Sequence, residues 1–281
     1  MKRILFFAIL LLLVYTTINV YQGNRAQTEI SEKNNLTIEI SKEQVHQGNL
    51  LLVNKEIPVH KEGVKSDVVN LSKHKELIRG YRLFDEHIYL SKSVAQIFME
   101  LVRDAKRDNV EHFMINSGFR SSEEQNELYQ KLGSDYALPD GYSEHNLGLA
   151  LDIGSTQMKM DQASEGKWLK RNAYKYGFIL RYPKEKAGIT GTQYEPWHYR
   201  FVGWPHSAII QEHDFVLEEY LDYLKAEKSI SFHDHGETYN IYYYPVSNDP
   251  DFTISIPENR DYEISGNNID GVIVTVYPRK S

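Results

Sequence analysis

The sequence predicts an α+β fold with a membrane anchor at its N-terminus and a small β appendage at its C-terminus. Three observations lead to this prediction. A hydrophobic run opens the chain at 1–21, helix and strand patterns are mixed over 46–226, and alternating β-branched and aromatic residues dominate 227–281. The 281 residues suffice for one large domain, or for one medium domain with an appendage.

Composition limits the classes of function. The chain is 41% apolar and 25% charged, as expected of a globular protein, and its net charge of -7 comes with no block of Lys and Arg. This charge balance argues against a nucleic-acid partner. Because the chain has no cysteine, it forms no disulfide, and a metal ion would have to be held by His, Asp or Glu.

The N-terminal segment has the pattern of an export signal. Lys2 and Arg3 precede a run of apolar residues that continues, more weakly, to about residue 21. About 18 residues could just cross a bilayer, and the lack of a clear cleavage site favours a retained anchor over a cleaved signal. The basic start places the body of the protein on the extracytoplasmic face of the cell membrane. Residues 22–45 are polar and aperiodic, and we expect a linker there.

The longest predicted helix runs from Ser91 to Asn109, where apolar residues recur at helical spacing and basic residues gather late. This stripe indicates a core helix. Shorter elements are predicted from apolar runs and from the Ser, Gly and Pro residues that bound them. They are a strand at 50–53, a strand at 113–115, a helix after Ser121 and Ser122, a helix at 167–176 ending at Gly177, and a strand at 178–182.

The segment GYSEHNLGLALD, residues 141–152, places a histidine and an aspartate around a strand pattern. Bulky residues occupy the odd positions from Leu147 to Ile153, and small ones occupy 148 and 150. Period two predicts a strand with one face in the core, so Asp152 projects from the other face. We expect His145 on the turn that precedes this strand.

A catalytic zinc ion usually takes three protein ligands, so a third would come from elsewhere in the chain. The stretch Glu195-Pro196-Trp197-His198 offers a histidine and, three residues earlier, a carboxylate that could take a proton from water. On spacing alone this pattern is weak. His145 taken alone is more typical of a surface turn than of a metal site.

The motifs together resemble the VanY-type zinc D-alanyl-D-alanine carboxypeptidases and the related LD-carboxypeptidases. The resemblance rests on the pattern Ser143-x-His145-x-x-Gly148-x-Ala150-x-Asp152 and on the stretch 195–198. Two further stretches agree in order, SGFRS at 117–121 and GFILRYP at 177–183. The resemblance implies a zinc peptidase domain over 46–226 with a small antiparallel sheet flanked by helices, followed by a small β domain at 227–281.

Carried over residue by residue, the resemblance implies a Zn²⁺ site with a base beside it. The implied ligands are His145, Asp152 and His198, the implied general base is Glu195, and Arg120 would face the scissile carbonyl or the substrate carboxylate. Ser143 and Gln125 would line the substrate cleft. Both have alternatives in the sequence, since Ser143 could close the turn before His145, and Gln125 could form a capping box with Ser122.

Other polar residues near these motifs have simpler interpretations. We expect Glu144 to be solvated. His206 and His213 are expected to be structural or exposed, and His233 and His235 to be exposed in a hairpin turn.

The implied activity is removal of the terminal D-alanine from peptidoglycan pentapeptide stems, with a role in cell-wall remodelling and glycopeptide resistance. An LD-carboxypeptidase that trims tetrapeptide stems shares the motif and stays open as an alternative. A non-catalytic module that binds the cell wall is a third possibility.

Overall fold

The computed structural model describes residues 35–133, 138–246 and 252–279. The predicted anchor at 1–21 lies outside these residues. Among the helices of the described ranges, none is long and apolar enough to cross a membrane.

The described part of the chain contains six α-helices and thirteen strands, in a mixed order that confirms the α+β class. The helices are α1 (Lys92–Arg107), α2 (Ser122–Leu132), α3 (Ser164–Asn172), α4 (Ala187–Thr190), α5 (His206–Glu212) and α6 (Leu217–Glu227). The strands are β1 (Asn35–Glu39), β2 (Val68–Asn70), β3 (Arg82–Leu83), β4 (Tyr89–Ser91), β5 (Phe113–Ser117), β6 (Ala150–Ser155), β7 (Phe178–Leu180), β8 (His198–Phe201), β9 (Ser229–Asp234), β10 (Glu237–Pro245), β11 (Thr253–Pro257), β12 (Tyr262–Gly266) and β13 (Gly271–Val276).

A five-stranded sheet with the order β3-β5-β6-β8-β7 forms the centre of the fold. Its pairs are antiparallel except for β3 with β5. Helix α1 packs on one face of this sheet, because its apolar stripe, including Phe98, joins Leu151 and Ile153 of β6 in one core cluster. The opposite side of β6 carries Asp152, which is thereby left at the surface of the sheet.

The predicted helices agree with the structure within a few residues, and their ends have identifiable causes. The hydroxyl of Ser91 accepts a hydrogen bond from the backbone N–H of Val94 at the start of α1. Helix α2 begins with a capping box between Ser121 and Glu124. The capping box predicted from Ser122 to Gln125 is therefore wrong by one residue, and Gln125 is available for another role.

Two predicted strands differ from the structure. Residues 50–53 are buried, but they form no strand. The carbonyl of Leu51 accepts a hydrogen bond from the side chain of Arg200 at 2.9 Å. The strand expected from Leu147 starts only at Ala150. Leu147 ends a 3₁₀-helix that begins at Glu144, and Gly148 follows in the left-handed region with φ 83°.

The C-terminal strands form a four-stranded sheet with the order β12-β13-β10-β9, which confirms the expected β region. Strand β1 falls in the predicted linker, but it pairs with β11 and so belongs to the folded part of the chain. One face of the larger sheet contributes Ile241 and Ile273 to a hydrophobic cluster with Leu52 and Ile179. The C-terminal strands are thus packed against the part of the chain that holds the central sheet.

Candidate metal centre

The three residues expected to bind a metal ion meet in the structure. One ligand atom from each of His145, Asp152 and His198 lies within 4.8 Å of the other two. The Nε2 atom of His145 is 3.4 Å from Oδ2 of Asp152, and Nδ1 of His198 is 3.1 Å from Oδ1 of the same carboxylate. Two imidazoles and a carboxylate around one point are a donor set suited to a divalent cation such as zinc.

The central sheet determines the positions of two of these residues. Asp152 on β6 lies directly opposite His198 on β8, and Ser117 on β5 is its partner on the other side. His145 comes from the 3₁₀-helix before β6. The hydroxyl of Ser143 accepts a hydrogen bond from the backbone N–H of His145 at 3.3 Å, so Ser143 caps this turn.

Each imidazole is oriented by an oxygen that can only accept a hydrogen bond. The Nδ1 atom of His145 lies 2.5 Å from the carbonyl oxygen of Gly118, and Nε2 of His198 lies 3.3 Å from Oε2 of Glu144. With a cation at the centre, these nitrogens can donate their protons to the two oxygens. The opposite nitrogens, which face Asp152, can then keep their lone pairs for the ion, and this is the arrangement that metal-binding histidines require.

Glu144 is the residue of the site that the sequence analysis missed. It was expected to be solvated, but it is buried and accepts hydrogen bonds from Nε of Arg181 at 2.8 Å and from Nη1 of Arg200 at 2.7 Å. Burial alone would raise the pKa of Glu144, but the guanidinium groups of Arg200 and Arg181 hold it well below its usual range. Arg181 also makes a two-bond pair with Glu218 at the start of α6.

A signal for this network is present in the sequence. Arg181 and Arg200 each stand among large apolar residues, in FILRYP and HYRF, and both are fully buried in the structure. A buried arginine needs a carboxylate partner. Counting two such arginines would have pointed to an unidentified buried acid nearby.

Arg120 and Gln125 form a supporting pair beside the metal site. The Nη1 atom of Arg120 donates to Oε1 of Gln125 at 2.8 Å, and Nε2 of Gln125 donates to the carbonyl of Leu138 at 2.6 Å. Both polar ends of the Gln125 side chain are thus occupied. The Nε atom of Arg120 is buried and has no hydrogen-bond partner among the described residues. Burial lowers the pKa of Arg120, and the charges of Asp152 and Glu195 oppose this fall.

Glu195 lies at the edge of the cluster. Its Oε2 is 3.8 Å from Nδ1 of His198, and its backbone N–H donates to the carbonyl of Tyr182 at 3.1 Å. Burial raises the pKa of Glu195 above its ordinary value, and the charges of His198 and Arg120 oppose this rise. A carboxyl group with a raised pKa is suited to accepting and releasing a proton near neutral pH.

Of the four other histidines discussed above, all are structural or exposed as predicted, although His233 lies on β9 and not in the turn. His206 is buried and bonded to the hydroxyls of Tyr220 and Thr275, while His213, His233 and His235 are exposed.

Comparison with known proteins identifies the family. A family model described as "VanY: D-alanyl-D-alanine carboxypeptidase" matches residues 87–204. A curated "D-alanyl-D-alanine carboxypeptidase" from Enterococcus faecium is 55% identical over 296 residues, which cover 99% of this chain and 97% of that protein.

Two solved structures of vancomycin resistance proteins extend this result. The D,D-dipeptidase VanXYg, in complex with a D-Ala-D-Ala phosphinate analog, has a TM-score of 0.76 at 35% identity and covers 86% of this chain and 99% of its own. A mutant of the D,D-pentapeptidase VanY from a VanB-type resistance cassette, in complex with Zn(II), has a TM-score of 0.51 at 28% identity, with 62% and 98% covered. The chain belongs to the VanY family of D-alanyl-D-alanine carboxypeptidases.

Proposed function

We propose that this protein is a zinc-dependent D-alanyl-D-alanine carboxypeptidase that removes the terminal D-alanine from peptidoglycan pentapeptide stems. The observation that carries the proposal is the convergence of His145, Asp152 and His198 with both imidazoles oriented for metal binding. Family membership supplies the reaction class. The proposal includes an anchor at 1–21 that holds the enzyme on the extracytoplasmic face of the cell membrane, where its substrate is found.

In this proposal His145 Nε2, His198 Nδ1 and Asp152 hold Zn²⁺. The ion supplies Lewis acidity, which polarises a substrate carbonyl and acidifies water. The half-buried carboxylate of Glu195 accepts the proton of the attacking water and delivers it to the amine of the departing D-alanine. The guanidinium of Arg120, whose buried Nε has no partner among the described residues, presents fixed positive charge to the oxyanion.

The two residues expected in the substrate cleft receive different roles. Ser143 accepts one hydrogen bond from the turn, and its hydroxyl proton has no acceptor in the described part of the chain, so it can be donated to the substrate. Gln125 uses both of its polar ends within the protein. We therefore assign Gln125 to positioning Arg120, and keep only Ser143 as a substrate contact.

The reaction links the enzyme to the cell wall. Removing the last residue of a stem destroys the D-Ala-D-Ala terminus, which is the target of glycopeptide antibiotics, so expression should lower glycopeptide sensitivity. No serine nucleophile takes part, and β-lactams should therefore leave the activity unchanged.

The decisive experiment measures D-alanine release from a synthetic pentapeptide by the purified full-length protein. We expect release to stop after chelation and to return when zinc is added. Glu195→Gln should retain zinc, and its kcat should fall by about 10²–10⁴-fold. Release that continues undiminished in chelator would overturn the zinc mechanism.

A tetrapeptide stem tested in parallel separates the main proposal from the LD-carboxypeptidase alternative. Exclusive cleavage of the tetrapeptide would favour that alternative. Binding to cell walls without cleavage of either stem would favour the non-catalytic module. Cell fractionation tests the anchor. The full chain should be found in the membrane fraction, and the chain without residues 1–21 in the soluble fraction.

A further inference from the structure

The four-stranded C-terminal sheet has two edge strands, β12 and β9, and the described chain covers only β12. There the backbone N–H of Gly266 donates to the carbonyl of Gln47 at 2.7 Å. Just beyond the strand, the N–H of Asn268 donates to the carbonyl of Val45 at 2.8 Å. Strand β9, by contrast, pairs with β10 alone within the described ranges. Its outer edge is therefore open to another strand.

The hairpin that joins β9 to β10 determines which backbone groups of β9 face outward. Its loop is His235-Gly236, with φ angles of 47° and 83°, and the flanking residues Asp234 and Glu237 lie directly opposite each other. In such a two-residue hairpin the flanking pair is hydrogen-bonded, so the even-numbered residues of β9 bond to β10. The outward N–H and C=O groups, which have no partner among the described residues, belong to Ser229, Ser231 and His233.

Strand β9 carries none of the devices that usually protect an open edge. Natural proteins block such edges with a proline, a bulge or a lysine. The strand reads SISFHD, and its register with β10 runs over six residue pairs without a shift. Its odd-numbered side chains are exposed, while Ile230 and Phe232 are half-buried against the hydrophobic cluster that includes α5 and α6. The edge is thus regular enough to accept a partner strand.

The sequence of β9 is complementary to itself in one antiparallel register. When Ser231 lies opposite its own copy, Ile230 lies opposite Phe232 of the second copy, and Ser229 lies opposite His233. All outward backbone groups then pair, because positions 229, 231 and 233 meet only one another. A shift of one residue would set outward groups against inward ones, and a shift of two would leave some outward groups unpaired.

Charge and shape favour the same register. Lys228 precedes β9 and Asp234 ends it, so antiparallel pairing places the ammonium of each copy beside the carboxylate of the other. Nζ of Lys228 lies 5.0 Å from the centre of the Tyr243 ring and has no carboxylate partner in the described ranges. A groove of about 270 Å³ runs between β9 and the helices α5 and α6, with Tyr223 in its lining. It leaves room at the edge for the Phe232 side chain of a second copy.

We propose that this protein pairs with a second copy of itself along β9, which forms a two-fold dimer with one continuous eight-stranded sheet. The inference does not depend on the proposed reaction. A two-fold axis makes each contact twice, so the three outward N–H groups of both copies are bonded. Because the β12 edge is covered by the chain itself, the sheet takes no third copy and the assembly closes at two chains.

Sedimentation equilibrium of the full-length protein in density-matched detergent measures the assembly. The wild type should give a species with twice the mass of one 32.7 kDa chain. Ser231→Pro removes an outward N–H but no bond to β10, so it should fold and weaken the dimer at least about tenfold. Ser231→Ala is the matched control, because it keeps the N–H and should dimerise like the wild type. A monomeric wild type, growth beyond two chains, or a proline variant that dimerises as tightly as the wild type would overturn the inference.

A charge swap tests the register without altering the backbone. Lys228→Asp places like charges together at both ends of the paired strands and should weaken the dimer about 3–10-fold. The double variant Lys228→Asp/Asp234→Lys brings opposite charges together again and should recover most of the wild-type affinity. Both variants lack the contact of Lys228 with Tyr243, so that contact does not affect the comparison. A double variant no tighter than Lys228→Asp contradicts the register.

A single introduced cysteine reports the pairing directly, because the chain has no cysteine of its own. In the proposed dimer the two α-carbons of residue 231 are about 5.5 Å apart, a distance that a disulfide spans. Mild oxidation of Ser231→Cys should therefore give a cross-linked dimer on non-reducing gels. His235→Cys is the control, since the His235 side chain is 94% exposed but its two copies lie roughly 27 Å apart in the dimer. Equal cross-linking of the two variants, or none of Ser231→Cys, refutes the pairing.

Discussion

Replacing Glu144 with glutamine removes one negative charge from the buried network behind His198. The substitution preserves the shape of the side chain, but it leaves the guanidinium groups of Arg181 and Arg200 without their shared carboxylate. Breaking a buried ion pair by removing one partner costs about 3–5 kcal/mol. Because domains are stable by only about 5–15 kcal/mol, we expect Glu144→Gln to lose a large part of its free energy of unfolding.

The same substitution should weaken metal binding. An amide at position 144 can present an N–H group to Nε2 of His198. The ring would then favour the tautomer with its proton on Nδ1, the nitrogen that has to bind the metal. Loss of such an outer partner typically costs 10–100-fold in metal affinity. Urea denaturation of the chelated protein measures the stability effect, and chelator competition at a temperature where the variant is folded measures zinc affinity.

Two variants serve as controls for this prediction. Glu219→Gln removes a partly exposed pair with Lys186, at 2.9 Å, and should change stability by less than about 1 kcal/mol. Glu218→Gln removes the outer partner of Arg181 without touching His198, so it should destabilise the protein while zinc affinity stays within about threefold. If Glu144→Gln binds zinc as tightly as Glu218→Gln does, Glu144 does not orient His198.

Three further predictions follow from the contacts described above. Gln125→Ala should lower kcat about tenfold at unchanged zinc content, because Arg120 loses the partner that positions it; lost zinc instead would contradict this role. Burial lowers the pKa of His206 to about 3 from its ordinary value near 6.5. The unfolded chain therefore takes up a proton as the pH falls below about 6.5, while the folded protein does not. In urea denaturation the wild type should lose about 1.6 kcal/mol more than His206→Gln between pH 6.5 and pH 5. Equal losses would refute this assignment. Gly266→Ala should cost about 1–3 kcal/mol in thermal denaturation, since its Cβ would meet the carbonyl of Val45, and an unchanged melting temperature would contradict the close contact.

Local signals in the sequence were enough for α1, α2 and α3 and for much of the β structure. The stripe over 91–109 predicts α1 because helical spacing and the N-cap of Ser91 agree. The apolar run at 50–53 is buried as expected, yet it joins no strand ladder. The carbonyl of Leu51 accepts from the Arg200 side chain, and the N–H of Leu52 donates to the carbonyl of Asn267, which lies outside the strands. The alternation of bulky and small residues from Leu147 predicts a strand that starts too early in the chain. Alternation in size does not reveal that the backbone turns at Gly148.

The metal centre could not be predicted from spacing, since His145 and His198 are 53 residues apart and meet only because β6 and β8 are paired. Resemblance to a family supplied the residues that spacing left open. It gave no role to Glu144, whose partners Arg181 and Arg200 come from two other strand regions. A polar residue between two motif residues is easily predicted to be exposed unless the buried residues of opposite charge elsewhere in the chain are considered.

The direct cross-strand pairing of Asp152 with His198 also determines how the protein should respond to loss of its ion. Backbone ladder bonds on both sides of β6 fix the separation of these two residues, independently of any ligand. Stripping the metal should therefore leave the folded chain intact. Reloading should be a simple bimolecular step whose rate rises linearly with zinc concentration, with no slow phase from chain rearrangement.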